Sequence, residues 1–321
     1  MRGDFLLRYK IITDHIDILS NSNFGEWSSV NSSEDIVTLP FVIYSKEVMD
    51  FLLSVDNFLD IENNHIFFDY KALIEKENIE YSMDAFIDAD INTLQAETLC
   101  AMIIGTIRAD RFCEGVLLEA FEHGHILKWL KRIKDLDEAK ELIDEIDATI
   151  RYVWKNKIKD DYNNGWLLKE DTLKNSFYFH LRSKLGDLFD KHDIRIFTEF
   201  TDEKFKGTGY RPDMVIAKVN FDSDDSYYGN SITDCLAVIE FKYKQGFNSS
   251  NDIYEDYKKL RKYASNLKIN CKLYMATIWE CEDDETCWES KNSRWATGKL
   301  TELNASYKRN SNEMNFYICD H

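Results

Sequence analysis

About halfway along the chain the spacing of apolar residues changes, and that change constrains the fold more than any single motif. Before residue 150 they recur at helical intervals. Residues 43–55 (IYSKEVMDFLLSV) carry them at 43, 44, 48, 49, 52, 53 and 55, with Ser45 and Glu47 near the start, which predicts an amphipathic helix. Residues 93–112 are apolar enough for a buried central helix, and 135–153 read as an amphipathic connector. DIVTLPFVIY (35–44) reads as a strand or a buried loop, since Pro40 restricts it to an edge. Beyond residue 165 strand-like runs take over at 195–200 (RIFTEF), 211–219 (RPDMVIAKV), 235–244 (CLAVIEFKYK) and 271–279 (CKLYMATIW). Helical stretches at 171–189 and 252–265 give the order α-β-β-β-α-β. Three consecutive strands predict an antiparallel meander, and the helix before the last strand predicts a βαβ crossover. The expectation is an α/β C-terminal domain with a mixed sheet flanked by helices, behind a mainly α-helical N-terminal domain.

Charge divides at the same place. The 321 residues carry a formal net charge of −18, which taken whole argues against phosphate neutralisation. Residues 1–150 hold 13 basic and 30 acidic side chains, a net of −17, and the remainder holds 27 and 28, a net of −1. Two domains with different partners follow, 1–150 and 155–321, the break lying near RYVWKNKIKDDYNNGW with its Asn163-Asn164-Gly165 turn signal. Only 2 prolines and 12 glycines favour long helices over turn-rich architectures.

No run approaches a membrane span, and the start MRGDFLLRYK lacks a signal-peptide pattern, so a cytoplasmic protein without a membrane partner is expected. Seven scattered cysteines are expected to be reduced thiols. Cys281, Cys287, Cys319 and His321 can be drawn together as a zinc site, but the spacing fits no standard pattern, and core or surface thiols are the preferred reading.

In IRADRFCEG (107–115), Arg108, Arg111 and Glu114 at i, i+3 and i+6 would share a helix face. They would form an anion or partner site or, preferred, an intrahelical ion-pair array beside a close contact at Gly115. His123-Gly124-His125 is explained by a helix-end turn without a metal. Residues 3–136, with IRADRFCEG and the following helix, resemble a bacterial domain family of unknown function, a likeness that implies an independent helical module and no activity.

Three polar residues interrupt the strands of the second half. Asp213 follows Pro212 at a strand start, and Glu240 and Lys242 flank Phe241, so alternation puts both charges on one face. Two carboxylates and an ammonium across neighbouring strands suit a divalent metal and phosphodiester hydrolysis, with hard oxygen ligands for the ion and a cation for the developing charge. Residues 165–280 resemble the PD-(D/E)xK nuclease superfamily, with Pro212-Asp213 as PD, Glu240-Phe241-Lys242 as ExK, and the flanking helices in matching order. The resemblance implies a restriction-endonuclease-like fold and a Mg²⁺- or Mn²⁺-dependent nuclease, with DNA as substrate and phage or mobile-element defence as setting. It implies Asp213, Glu240 and the Phe241 carbonyl as metal ligands and Lys242 as the catalytic lysine. Glu170 is the expected auxiliary acid, with Glu199 competing. The acidic loop within 220–234 separates the two motifs.

Residues 151–211 and 239–272 carry local nets of +3 and +4. Arg211, Lys244, Lys258 and Lys259 are the expected phosphate contacts, and Tyr254, Tyr257 and Tyr263 either stack bases or fill the core. The competing reading is an inactive scaffold of the same fold, in which Glu240 and Lys242 form an ordinary ion pair and the acidic half docks a basic partner. In the nuclease reading the N-terminal half would regulate, bind a protein partner or mediate homodimerisation.

Overall fold

Three of the described helices in the first half begin at a side-chain cap. The computed structural model describes residues 7–28, 32–33, 36–37, 40–200, 211–221, 228–246, 251–267, 271–283, 286–309 and 311–321. By backbone contacts these fall into two units, Met1–Leu142 and Ile143–His321.

In the first unit two short helices, α1 (Lys10–Thr13) and α2 (Ile16–Leu19), precede the two-residue strands β2 (Ser32–Ser33) and β3 (Ile36–Val37) and an antiparallel ribbon of β1 (Gly25–Trp27) with β4 (Val42–Tyr44). Five further helices, α3 (Lys46–Leu59), α4 (Tyr70–Glu75), α5 (Met83–Asp88), α6 (Ala96–Ala109) and α7 (Val116–Glu122), with a 3₁₀ stretch Glu62–Asp69 after α3, build its core together with Ile126, Trp129, Leu130 and Ile133 of the next helix. Ser45 accepts the Val48 N–H at 3.3 Å and Ser82 the Ala85 N–H at 3.2 Å, the hydroxyl caps that start α3 and α5. Val48, Phe51, Val55 and Phe58 bury the inner stripe of α3, and α6 is buried from Ala96 through Thr106 except at Glu97.

The array expected of Arg108, Arg111 and Glu114 does not form, because α6 stops at Ala109. Asp110 ends it by accepting the N–H groups of Gly115 and Leu117, both at 3.0 Å, with its other oxygen, and the Tyr44 hydroxyl, 2.8 Å apart. Glu114 accepts the Val42 N–H at 2.8 Å, and the Arg108 guanidinium lies 5.6 Å from the Tyr70 ring centre. These residues build the turn that holds β4 to α7. Gly115 has φ +92°, and a Cβ there would stand 2.4 Å from the Trp27 ring.

Helix α8 (His125–Tyr152) continues through a π-helical turn, Val153–Ile158, into α9 (Lys159–Asn163). The boundary expected at 150 to 155 therefore lies inside a helical run. Ile146, Ile150, Val153, Trp154 and Ile158 bury one stripe along it, so burial carries the helix across the change of charge.

The second unit is a six-stranded mixed sheet with helices. After α10 (Glu170–Lys191) come β5 (Ile194–Thr198), β6 (Met214–Val219) and β7 (Ile232–Gln245), then α11 (Asn251–Asn266) and β8 (Lys272–Asp283), and finally β9 (Leu300–Lys308) and β10 (Met314–Asp320). Strand order is β10-β9-β8-β7-β6-β5. The meander β5-β6-β7 is antiparallel, β7 pairs with β8 and β8 with β9 in parallel, and β10 returns antiparallel to β9. Val215, Ala217 and Val238 pack with Ile253, Tyr257, Leu260 and Tyr263 of α11 in one core cluster. Phe241 turns to the opposite face, edge-on to Phe177 of α10 at 5.3 Å between ring centres. Of the acidic loop, residues 222–227 lie outside the described residues. No described helix is long and apolar enough to cross a membrane.

One expectation about the thiols is corrected. Cys287 and Cys319 form a disulfide with 6.0 Å between their Cα atoms. The pairing of Cys319 with Glu302 across the outer strands sets its sulfur beneath the segment carrying Cys287, at a separation a disulfide spans. Cys100, Cys113, Cys235, Cys271 and Cys281 are in no disulfide.

Candidate active site

The register of β6 and β7 assembles the site. Met214 pairs with Ile239, so Asp213, one residue earlier, stands across from Glu240. Asp213 Oδ2 accepts the Phe241 N–H at 2.9 Å, a bond that fastens the carboxylate to the strand bearing Glu240. Its Oδ1 accepts from Lys174 Nζ of α10 at 3.0 Å. The Lys174 ammonium also holds Glu199, which Arg211 contacts at 2.6 Å. Glu199 sits at φ +52°, a conformation few non-glycine residues adopt, and its N–H donates to the Asp213 carbonyl at 3.0 Å.

Glu240 is wholly buried. Its Oε1 accepts the Tyr263 hydroxyl at 3.2 Å, whereas Oε2 accepts no hydrogen bond and stands 3.6 Å from Lys259 Nζ. Burial and then the charge of Asp213 push its carboxyl well above the ordinary range. A buried carboxylate oxygen without a donor, facing a second carboxylate, is a pair of hard ligands that a divalent cation would satisfy.

Lys242, two residues on and on the same face, lies between Glu170 at 3.2 Å and Asp256 at 3.0 Å. Burial opposes its charge, but Asp256 and then Glu170 outweigh burial and raise its pKa, so the ammonium stays protonated. Asp256 is 3% exposed, and its other oxygen is 2.5 Å from Lys259 Nζ. Carboxylates and ammonium groups thus alternate from Glu170 through Lys242, Asp256 and Lys259 to Glu240, and from Asp213 through Lys174 to Glu199 and Arg211.

Asp213, Glu240, Lys242 and Glu170 all fall in this network, and the backbone of Phe241 lies within it through its N–H. Glu170 borders Lys242, while Glu199 borders Asp213 through Lys174, so the two acids serve different ends of the site. Lys259 departs from its expected place along a phosphate backbone, because the inner face of α11 turns it toward Asp256 and Glu240. Lys258 points outward to Glu255 at 2.5 Å, and Lys244 pairs with Asp252. Tyr257 and Tyr263 are 5% and 0% exposed and belong to the core, which removes them from base stacking; Tyr254 is 48% exposed.

Sequence reasoning missed Lys174 and Asp256, and took Tyr263 for a stacking or core residue without its bond to Glu240. The signal was spacing: Lys174 is four residues after Glu170, and Asp256, Lys259 and Tyr263 recur at i, i+3 and i+7 on one face of α11.

A second polar cluster lies farther along the sheet. Ligating atoms of Cys287, Cys319 and Glu302 approach within 4.8 Å of one another. The sulfurs are joined as a disulfide, which removes them as thiolate ligands. Glu302 accepts the N–H groups of Trp288 at 2.9 Å and Glu289 at 2.8 Å and the amide of Asn304 at 2.9 Å, with the His321 ring at 3.0 Å. Cys281 points elsewhere, donating to the Gly246 carbonyl at 2.9 Å. The four-residue zinc arrangement does not form among them.

No curated protein and no solved structure matches the chain. Residues 9–139, within the acidic helical half, match the model described as "Family of unknown function (DUF6508)", and the strands and helices around Asp213 and Glu240 lie outside that match.

Proposed function

We propose that the second unit is a divalent-metal-dependent nuclease of the PD-(D/E)xK kind, hydrolysing phosphodiester bonds in DNA. The observation that carries this reading is the placement of Asp213 and Glu240 across adjacent strands, with Lys242 on the same face and a buried oxygen of Glu240 lacking a donor. The order α10, β5, β6, β7, α11, β8 supports it further. Asp213 and Glu240 would hold Mg²⁺ or Mn²⁺, with the Phe241 carbonyl as third ligand. A bound divalent cation supplies Lewis acidity and a more acidic water.

The chain's own residues account for the rest. Lys242, fixed between Glu170 and Asp256, orients the attacking water or stabilises charge on the phosphoryl oxygens, and being held protonated it is not a general base. Lys174 and Lys259 shield the two carboxylates from each other until a cation enters. Arg211, Lys244 and Lys258 would meet phosphates in exchange for their carboxylate partners Glu199, Asp252 and Glu255. The acidic first unit would serve as a regulatory or partner-binding module, or in homodimerisation, and defence against phage or mobile elements would be the setting.

The test is plasmid cleavage by the purified full chain in Mg²⁺ or Mn²⁺. Asp213→Ala and Lys242→Ala should each lower the rate at least about 100-fold, the scale of a lost electrostatic or acid–base contribution. Equal rates in both variants and the parent would refute the assignment. A second reading, an inactive scaffold that docks a basic partner, is favoured by one observation: both carboxylates already face lysine ammonium groups. It requires that the chain bind no divalent metal at Asp213 and Glu240.

A further inference from the structure

We propose that Cys287, Cys319 and His321 form a zinc site, which the Cys287–Cys319 bond closes and a dithiol reductant opens. The proposal is independent of the nuclease reading and concerns the outer strands of the sheet. The ladder sets the residues on one face. Cys319 stands directly opposite Glu302 in the antiparallel pair of β10 with β9, and His321 follows two residues after Cys319. The His321 N–H donates to the Leu300 carbonyl at 3.3 Å, and the His321 carbonyl accepts the Gly298 N–H at 2.7 Å, so the ladder continues to His321. Side chains two apart on a strand share a side and are roughly 7 Å apart at Cα, which lets both reach one ion between them. The sulfurs of Cys287 and Cys319 and a carboxylate oxygen of Glu302 lie within 4.8 Å of one another.

His321 supplies the observation that points to an ion. Its ring is wholly buried; Nε2 lies 3.0 Å from Glu302 Oε1, and Nδ1 has no hydrogen-bond partner. A carboxylate oxygen only accepts, so Nε2 carries the proton, and Nδ1 of the neutral ring keeps a lone pair inside the protein. An imidazole whose other nitrogen donates to a carboxylate is the arrangement in which histidines ligate metals. Glu302 suits that supporting part more than ligation, because four donors already occupy it: the Trp288 and Glu289 N–H groups, the Asn304 amide and His321. Two thiolates and an imidazole are soft and borderline donors that select zinc over Mg²⁺ and leave a fourth tetrahedral position.

The redox state decides whether the ligands exist, since thiolates bind zinc and a disulfide does not. Cys319 is buried and Cys287 partly exposed, so a thiolate of the dithiol reductant attacks the Cys287 sulfur. The S–S bond breaks, and Cys319 leaves and takes a proton. The second thiol of the reductant then displaces Cys287, which takes the other proton. The reductant ends as its own disulfide, having given two electrons. Zinc binding next releases both thiol protons to water. A buried carboxylate beside the sulfurs disfavours bare thiolates, and a divalent cation between them offsets that cost. The ion thus clamps Cys287 to β10 in the reduced chain, as the covalent bond does in the oxidised one.

The full chain is reduced with a dithiol, freed of it by gel filtration without oxygen, and titrated with Co²⁺ and then Zn²⁺. The reduced chain should take one Co²⁺ with the near-ultraviolet absorption of cobalt–thiolate bonds, and one Zn²⁺ should displace it. The oxidised chain should show no such absorption. The signal comes from sulfur, so an ion at Asp213 and Glu240 does not contribute, and Asp213→Asn should leave it unchanged. His321→Ala should weaken affinity at least about tenfold, and Glu302→Gln by about 10–100-fold. Cys287→Ser with Cys319→Ser should abolish the absorption. Should that variant fail to fold, alkylation of the reduced parent, mapped by peptide mass, decides the same point: Zn²⁺ should protect Cys287 and Cys319 together. A reduced parent without thiolate absorption, or Zn²⁺ that protects neither cysteine, overturns the site. Equal affinity in the parent and His321→Ala overturns it as well.

Discussion

Replacing Asp256 by alanine removes the carboxylate that separates two ammonium groups inside the second unit. Asp256 Oδ2 lies 3.0 Å from Lys242 Nζ and Oδ1 2.5 Å from Lys259 Nζ, while its own side chain is 4% exposed and those of the lysines 17% and 29%. At an effective dielectric constant of about 20, each contact has a gross Coulomb energy of roughly 5–7 kcal/mol. Most of that offsets the desolvation of the three charges, so the net worth of the pairs is much smaller. Removal of one partner leaves the others buried and unpaired, at a cost of about 3–5 kcal/mol. Lys242 keeps Glu170 at 3.2 Å and Lys259 keeps Glu240 at 3.6 Å, which moves the expected loss to the low end, about 3 kcal/mol. For a unit of this size that lowers Tm by roughly 6–12 °C. Calorimetric or circular-dichroism melting of Asp256→Ala against the parent measures it, with Lys258→Ala as a control at an exposed pair, expected to change Tm by under about 2 °C. An Asp256→Ala transition within about 2 °C of the parent would refute the claim that this carboxylate fixes the two lysines.

Three other outcomes follow from particular contacts. Gly115→Ala should destabilise the first unit by about 1–3 kcal/mol through the left-handed backbone and the Trp27 ring, and Trp27→Ala should recover part of the loss; a neutral Gly115→Ala would contradict the packing. Because Glu240 has a raised carboxyl pKa, its favourable contribution is present below the unfolded value of about 4.3 and is lost as pH rises through the folded one. Glu240→Gln should therefore gain Tm on the parent between pH 4.5 and 8, and a gap that does not change with pH would oppose the assignment. The Cys287–Cys319 bridge spans 32 residues, so Cys287→Ser with Cys319→Ser should cost about 3–4 kcal/mol under non-reducing conditions, while two alkylatable thiols at these positions in the untreated parent would show that the bridge is absent.

Much of the second unit was legible because its strands are apolar runs bounded by polar turns. The meander and crossover follow from element order, and Asp213, Glu240 and Lys242 stand out as charges where a core demands apolar residues. The two last strands were not legible. Residues 300–308 bury Thr301, Glu302, Asn304 and Ser306, so β9 lacks the hydrophobic pattern that marks a strand, and Thr301 and Glu302 find their partners in Arg151, Asp320 and the Trp288 and Glu289 N–H groups, distant in sequence. Arg108, Arg111 and Glu114 were misjudged for a related reason. Periodicity assumes that the helix continues, and Asp110 stops it by capping the next one. On α11 the basic residues suggested a phosphate-tracking face, yet Lys259 belongs to the inner stripe with Asp256, a distinction that rests on helical phase more than on composition.

The central claim is that Asp213 and Glu240 jointly hold a divalent cation, and titration of the full chain with Mn²⁺ by isothermal calorimetry addresses it most directly. The account predicts saturable binding by the parent and its loss in both Asp213→Asn and Glu240→Gln at unchanged fold by circular dichroism. Parent and variant titrations that superimpose, or a parent that binds no Mn²⁺, would contradict it.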